Sequence, residues 1–306
     1  MARAHVTSDV ADWTVADVAL QTLPDGTVCA SWIASPVDTS RGATQHIRLS
    51  FSEDGGQSWC ASRCVMHGLC PLWSPILFYD PAPPCGAQNS SYRGLPGQAP
   101  PSGAGVAARL LLFYSESRKY ISPGGDVKVI ESRDRGQSWG APHTLLTHEA
   151  DGDCPKLLTG CGLLETRSGA WILPLRRVPV PSGSSGDLEL VPGEPSRASQ
   201  HPVASVGVLV SRDRGRTWRP CGHVSHSNGC PLVITQVEEL EARPGFPLES
   251  RLLMRVTPTQ SGDPRSEAHG LILQAASTNG GETWGDLKPA VVTPDHSTSA
   301  PRRELN

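Results

Sequence analysis

Apolar and polar positions alternate along most of this chain in short runs, and the runs recur in the same order four times. The first run of each set is VADVALQTL, PLWSPILFY, PKLLTGCGLL or PLVITQVEEL. The second is GTVCASW, RLLLFYSES, GAWILPLRR or SRLLMRVT, and the third is HIRLSF, VKVIES, VGVLVS or LILQAAS. Alternation with period two over such lengths is the pattern of a strand with one buried face. After each third run stands a box of eight residues: SEDGGQSW, SRDRGQSW, SRDRGRTW and STNGGETW. All four fit S-x-[DN]-x-G-x-[ST]-W, starting at Ser52, Ser132, Ser211 and Ser277, at intervals of 80, 79 and 66 residues. The box has the chemistry of a tight turn. Its Asp or Asn and its Ser can bond turn amides, Gly supplies a positive φ, and Trp is a large apolar anchor. Three strands, a turn box and a fourth strand at or beyond the Trp make an antiparallel blade. No segment of comparable strength has a helical period, so the pattern predicts an all-β fold.

Composition agrees with many short strands and turns: among 306 residues there are 31 Gly and 28 Pro. Residues 80–107 and 181–203 are rich in Pro, Gly and Ser and read as disordered surface inserts. Allowing for them leaves a unit of about 55 residues, a length that suits a propeller blade. The blades are expected over 13–284, followed by a non-repeat tail at 285–306. A net charge of −3 offers no basic stripe, so nucleic acid is not expected as a partner. No apolar run reaches the roughly 18 residues of a membrane span. The opening MARAHVTSDVADW has no apolar core of a secretory leader, and the 9 cysteines are an odd count for a disulfide framework. The expectation is a soluble chain with reduced thiols.

The boxes resemble the Asp-boxes, or BNR repeats, of the sialidase (neuraminidase) superfamily. The likeness is closer to its sialidase-like, BNR-containing glycoside hydrolase relatives than to the well-studied sialidases. It also rests on LWSPILFY, LLLFYSESR, DCPKLL with GAWILPLRR, and ITQVEEL with RLLMRVT. The resemblance implies a six-bladed β-propeller, of which about four blades are present here. A six-bladed ring would need roughly a hundred more residues. The expectation is a C-terminally incomplete ring rather than a self-sufficient ring of four. Sialidases carry an Arg-Ile-Pro motif on the first inner strand, whose Arg grips the substrate carboxylate; this chain has Val15-Ala16-Asp17-Val18-Ala19 there. Their acid/base Asp lies on the following loop, where Asp38 is the only acid here. Their Tyr nucleophile lies in the final blades, whereas Tyr79, Tyr92, Tyr114 and Tyr120 all fall in the second unit.

Polar groups on inner and second strands are the candidates for chemistry, because such strands are otherwise buried. First strands contribute Asp17, Lys156, Gln236 and Glu238; second strands contribute Glu116, Arg118, Arg176, Arg177 and Arg255. Arg forks suit a carboxylate, and carboxylate side chains can supply acid, base or nucleophile. Glu238 and Arg255 match the family pattern best and are the expected catalytic pair; the other seven are expected to bind substrate. The implied activity is exo-α-sialidase-type removal of a terminal acidic sugar from a glycan or glycoconjugate. The alternative is a non-catalytic glycan- or protein-binding propeller.

No cofactor or metal is expected. Cys60-x3-Cys64-x2-His67-x2-Cys70 and Cys221-x-His223-x2-His226-x3-Cys230 each hold four ligand-type residues, but neither has a common zinc spacing. Cys70-Pro71, Cys154-Pro155 and Cys230-Pro231 each precede an inner strand. That regularity reads as a small residue at a tight strand entry, or as thiols gathered at one channel mouth.

Overall fold

The computed structural model describes residues 13–36, 45–68, 70–81, 108–117, 124–150, 154–178, 204–241, 251–259 and 271–290. The two Pro/Gly/Ser-rich inserts, apart from Asp80 and Pro81, lie outside these residues, as does Asp38. The described residues form strands and no helix, arranged as four antiparallel sheets. Blade 1 comprises β1 (Trp13–Thr22), β2 (Val28–Pro36), β3 (Gln45–Ser52) and β4 (Arg63–Gly68). Blade 2 comprises β5 (Leu72–Asp80), β6 (Arg109–Glu116), β7 (Asp126–Ser132) and β8 (His143–Leu146). Blade 3 has β9 (Lys156–Leu158), β10 (Leu164–Glu165), β11 (Trp171–Arg177), β12 (Ser205–Ser211) and β13 (Arg219–Val224). Blade 4 has β14 (Leu232–Glu239), β15 (Leu252–Pro258), β16 (Leu273–Ser277) and β17 (Lys288–Pro289). The run PKLLTGCGLL is therefore two short pieces, β9 and β10, both paired with β11. Gly160 and Gly162 lie in the gap, where glycine weakens a strand. Blade 4 reaches past Trp284 through β17, into the segment expected to be tail.

Each box is the turn between the third and fourth strands, and its columns have separate jobs. In the first, Asp54 Oδ1 accepts the amides of Gln57 and Ser58 at 2.9 and 2.8 Å, and Oδ2 accepts the Ser58 hydroxyl at 2.6 Å. The Ser52 hydroxyl donates to Asp54 at 2.7 Å and accepts the Gly56 amide at 2.7 Å. Ser132 with Asp134 and Ser211 with Asp213 repeat the pattern. In the fourth, Asn279 Oδ1 accepts the Thr283 amide, and its Nδ2 donates to the Thr283 hydroxyl at 2.9 Å. These bonds hold the Asp54 and Asp134 carboxyls well below the usual carboxylate range. At Asp213 burial alone would raise the carboxyl, and the bonds from Thr217 and Ser211 outweigh it. The fourth and fifth box residues are both left-handed in every copy; the fourth is Gly55, Arg135, Arg214 or Gly280, with φ of 72, 58, 56 and 68°.

The box tryptophans mark the seams. Trp139 packs in the core between blades 1 and 2, Trp218 between blades 2 and 3, and Trp284 between blades 3 and 4. Each sits against the blade preceding its own. Trp59 packs likewise on Ala30, Trp32 and Ala34, on the face of blade 1 turned away from blade 2. Side chains also close the exposed edges of inner strands, which would otherwise present unpaired backbone groups. Gln21 Oε1 accepts the Tyr79 amide at 3.3 Å and Ser115 Oγ the Leu158 amide at 3.1 Å, while Glu239 of blade 4 accepts the amide of Arg167, in the turn between β10 and β11, at 2.8 Å. The three Cys-Pro entries have a common structural function. The carbonyls of Pro71, Pro155 and Pro231 accept the amides of Ser117, Val178 and Thr259 at 2.9, 2.9 and 2.8 Å. Each closes the first strand of its blade on the end of the second.

Candidate functional site

The first strands β1, β5 and β14 each carry one extra residue relative to the second strand, a β-bulge. In β1 it falls between Ala16 and Ala19, with Asp17 at φ 52°; in β5 it falls between Trp73 and Ile76, with Ser74 at φ 48°. A bulge matters for chemistry because side chains alternate with period two, so one inserted residue exchanges the faces beyond it. Asp17 is exposed at its bulge, and its Oδ2 accepts the Ser74 amide at 3.1 Å, so the two distorted edges are joined.

In β14 the extra residue is Thr235. Ile234 pairs with Val256, but Gln236 pairs with Arg255. Without the bulge, Thr235 would pair with Arg255 and Gln236 would stand opposite Met254, whose side chain is fully buried in the seam between blades 3 and 4. With it, Gln236 and Glu238 emerge on the outward face beside Arg255, while Val237 turns inward onto the core. The three polar side chains form a closed group. Arg255 Nη1 lies 2.8 Å from Glu238 Oε1 and donates to Gln236 Oε1 at 2.6 Å. Gln236 Nε2 donates to Glu238 Oε2 at 3.1 Å. The Arg255 and Glu238 side chains are 31% and 34% exposed, so the pair is reachable from solvent. Among the described residues no hydrogen bond engages Nε or Nη2 of Arg255. One edge of the guanidinium is anchored and the other remains available.

The other candidates are distributed differently. Lys156 is completely buried, and its ammonium donates to the carbonyls of His148 and Ala150, the first at 2.9 Å. Glu116 is half-buried in an ion pair with Lys128. Arg176 and Arg177 leave β11 on opposite faces, because Ile172 packs towards blade 4 whereas Trp171, Leu173 and Leu175 pack towards blade 2. Arg177 Nη1 donates to the Gly222 carbonyl at 3.0 Å. Arg176 is buried with no hydrogen bond at Nε, and burial holds its guanidinium below the usual arginine range. Arg118 lies outside the described residues. The structure thus brings Gln236, Glu238 and Arg255 together, and places Asp17 on another inner edge.

The cysteine-rich sets assemble differently from their spacing. No disulfide joins the described cysteines, and the Cys221–Cys230 set does not gather. The first set splits: Cys64 and His67 meet His46, from a strand their spacing did not include, without Cys60 or Cys70.

No family model matches the sequence, and no curated protein is similar to it. Solved structures are similar in fold. A protein of unknown function from Dyadobacter fermentans matches 91% of this chain and 69% of its own, at 13% identity and a TM-score of 0.57. A mutant of the NanB sialidase from Streptococcus pneumoniae matches at 12% identity and a TM-score of 0.53, over 91% of this chain and 52% of that one. A leech intramolecular trans-sialidase complexed with 2,7-anhydro-Neu5Ac matches at 15% identity and a TM-score of 0.53, over 92% and 52% of the two chains. This chain therefore spans about half the length of the two sialidase structures. At such identities the likeness is one of fold, and the fold is that of a sialidase-like β-propeller.

Proposed function

We propose that this protein is a sialidase-like glycoside hydrolase of the Asp-box type, acting on a terminal acidic sugar of a glycan. The supporting observation is the Gln236–Glu238–Arg255 group on the outward face of β14 and β15. A guanidinium held on one edge by Glu238 and Gln236 presents Nε and Nη2 as a fixed fork, the arrangement that suits a sugar carboxylate. Glu238 is the carboxylate beside it and would handle a proton in glycosidic cleavage. Asp17 on blade 1, Glu116 on blade 2 and Arg176 on blade 3 remain in the proposal as substrate-binding groups, as does Arg118. Lys156 and Arg177 would act by fixing the backbone at 148–150 and at Gly222.

The alternative, a propeller that binds acidic glycans without cleaving them, has one observation in its favour. Where sialidases carry Arg on the first inner strand, this chain has Asp17, bonded to the Ser74 amide. The test is release of fluorophore from a panel of fluorogenic sialosides and other acidic glycosides. Turnover by wild type that falls by at least about a hundredfold in both Glu238→Gln and Arg255→Ala supports the hydrolase. No release by wild type, with saturable binding of the same glycosides, supports the binding propeller.

A further inference from the structure

His46 on β3 and His67 on β4 are direct cross-strand partners, and their rings meet edge to face at a centroid distance of 4.5 Å. Cys64 precedes His67 by three residues, a spacing that puts two side chains on opposite faces of a regular strand. Here β4 carries one extra residue, Val65. Ile47 pairs with Met66, yet Arg48 pairs with Cys64. The bulge returns Cys64 to the face of His46 and His67. One potential ligand atom from each of the three residues then lies within 4.8 Å of the others.

We propose that His46, Cys64 and His67 form a zinc site on the blade-1 face that also carries Trp32 and Trp59. Thiolate with two imidazoles is a donor set for a borderline-soft d10 ion, and three protein ligands leave one tetrahedral position for water. The spacing fits. Zn–S and Zn–N bonds of ~2.3 and ~2.0–2.1 Å at a tetrahedral angle separate sulfur from nitrogen by about 3.6 Å. Cys64 Sγ lies 3.7 Å from His46 Nδ1. The site is also held in shape. Trp13 packs on the His46 ring at a centroid distance of 4.9 Å, and the Cys64 thiol, before metal binding, donates to the Met66 carbonyl at 3.3 Å. Arg48, on the same face, donates through Nε to the Ser62 hydroxyl and through Nη2 to the Ser62 carbonyl, at 3.0 Å in each case, so its guanidinium is held at the residue before β4. On binding, the thiol proton passes to solvent as the S–Zn bond forms, and both imidazoles coordinate as neutral ligands.

The test titrates Co2+, then Zn2+, into the metal-free full chain under reducing conditions. The expected result is one thiolate-to-cobalt charge-transfer band per chain with tetrahedral d–d bands, all removed by one equivalent of Zn2+. Cys64→Ser abolishes the charge-transfer band. The exposed His67→Ala, which leaves the fold intact, weakens Co2+ binding by more than about tenfold, the effect that even an outer-shell partner has. Cys60→Ser and Cys230→Ser bind as wild type does. A wild-type chain without the band overturns the proposal. So does a band that survives Cys64→Ser or disappears in Cys60→Ser or Cys230→Ser.

Discussion

Gly222 and Gly55 share a backbone φ of 72° but have different surroundings, which allows the seam between blades 3 and 4 to be measured. A Cβ on Gly55 would meet nothing within 4 Å. A Cβ on Gly222 would lie 2.4 Å from Trp284 Cδ1 and 2.8 Å from its Nε1. Alanine at either position incurs about 1–2 kcal/mol of left-handed backbone strain, offset by ~0.4–1 kcal/mol because the unfolded chain loses freedom. Gly55→Ala should therefore cost roughly 0–1.5 kcal/mol. Gly222→Ala adds overpacking against the indole, typically ~1–3 kcal/mol. Urea unfolding followed by far-ultraviolet circular dichroism gives both values. Placing each substitution in a Trp284→Leu background isolates the ring, and the gap should shrink to about 0.5 kcal/mol or less. Equal costs in the wild-type background, or a gap that persists without the indole, would refute the assignment of Trp284 to this seam.

Other consequences follow from the same geometry. Asp80 is buried, accepts Arg109 Nε at 2.8 Å and is paired with Arg214 of the third box; Asp80→Ala should cost about 3–5 kcal/mol in urea unfolding. A loss below about 1 kcal/mol would mean that the network does not tie blade 2 to blade 3. The box carboxyls set a pH dependence. Asp54, Asp134 and Asp213 titrate below their unfolded value of 3.8 when folded. Their stabilisation is thus complete above that value and declines as pH falls through the depressed folded values. Amide exchange, corrected for the pH dependence of each amide's intrinsic rate, should quicken at Ser58, Ser138 and Thr217 on acidification but not at Thr283, which bonds to Asn279. Equal acceleration at Thr283 would count against the carboxylates as the cause.

Much of this architecture was legible in the residues. The order of runs and boxes located the strands because alternation and turn chemistry are local properties. Chemistry was less legible where alternation slips. Thr235 exchanges the faces of Gln236 and Val237, and Val65 returns Cys64 to the side of His67, yet neither residue is distinctive for a bulge. Pro75 in the middle of β5 was a readable signal, since proline inside a strand points to an edge or a bulge. A strand-end ammonium such as that of Lys156 is usually solvated, but here it is buried and donates to the carbonyls of His148 and Ala150. Ligand spacing within one segment does not reveal His46 as a partner of Cys64 and His67, because the contact crosses from β3 to β4.

In the proposed function Arg255, positioned by Gln236 and Glu238, receives the carboxylate of an acidic sugar. The most direct measurement is binding of free N-acetylneuraminic acid to wild type and to Arg255→Ala by saturation-transfer NMR. Arg212→Ala, which alters an exposed arginine paired with Glu282, serves as control. A charged hydrogen-bonded contact is worth about 1.5–3 kcal/mol, so Kd should rise between about tenfold and about a hundredfold in Arg255→Ala alone. Wild-type binding that is unchanged in Arg255→Ala, or no wild-type binding at all, would contradict it.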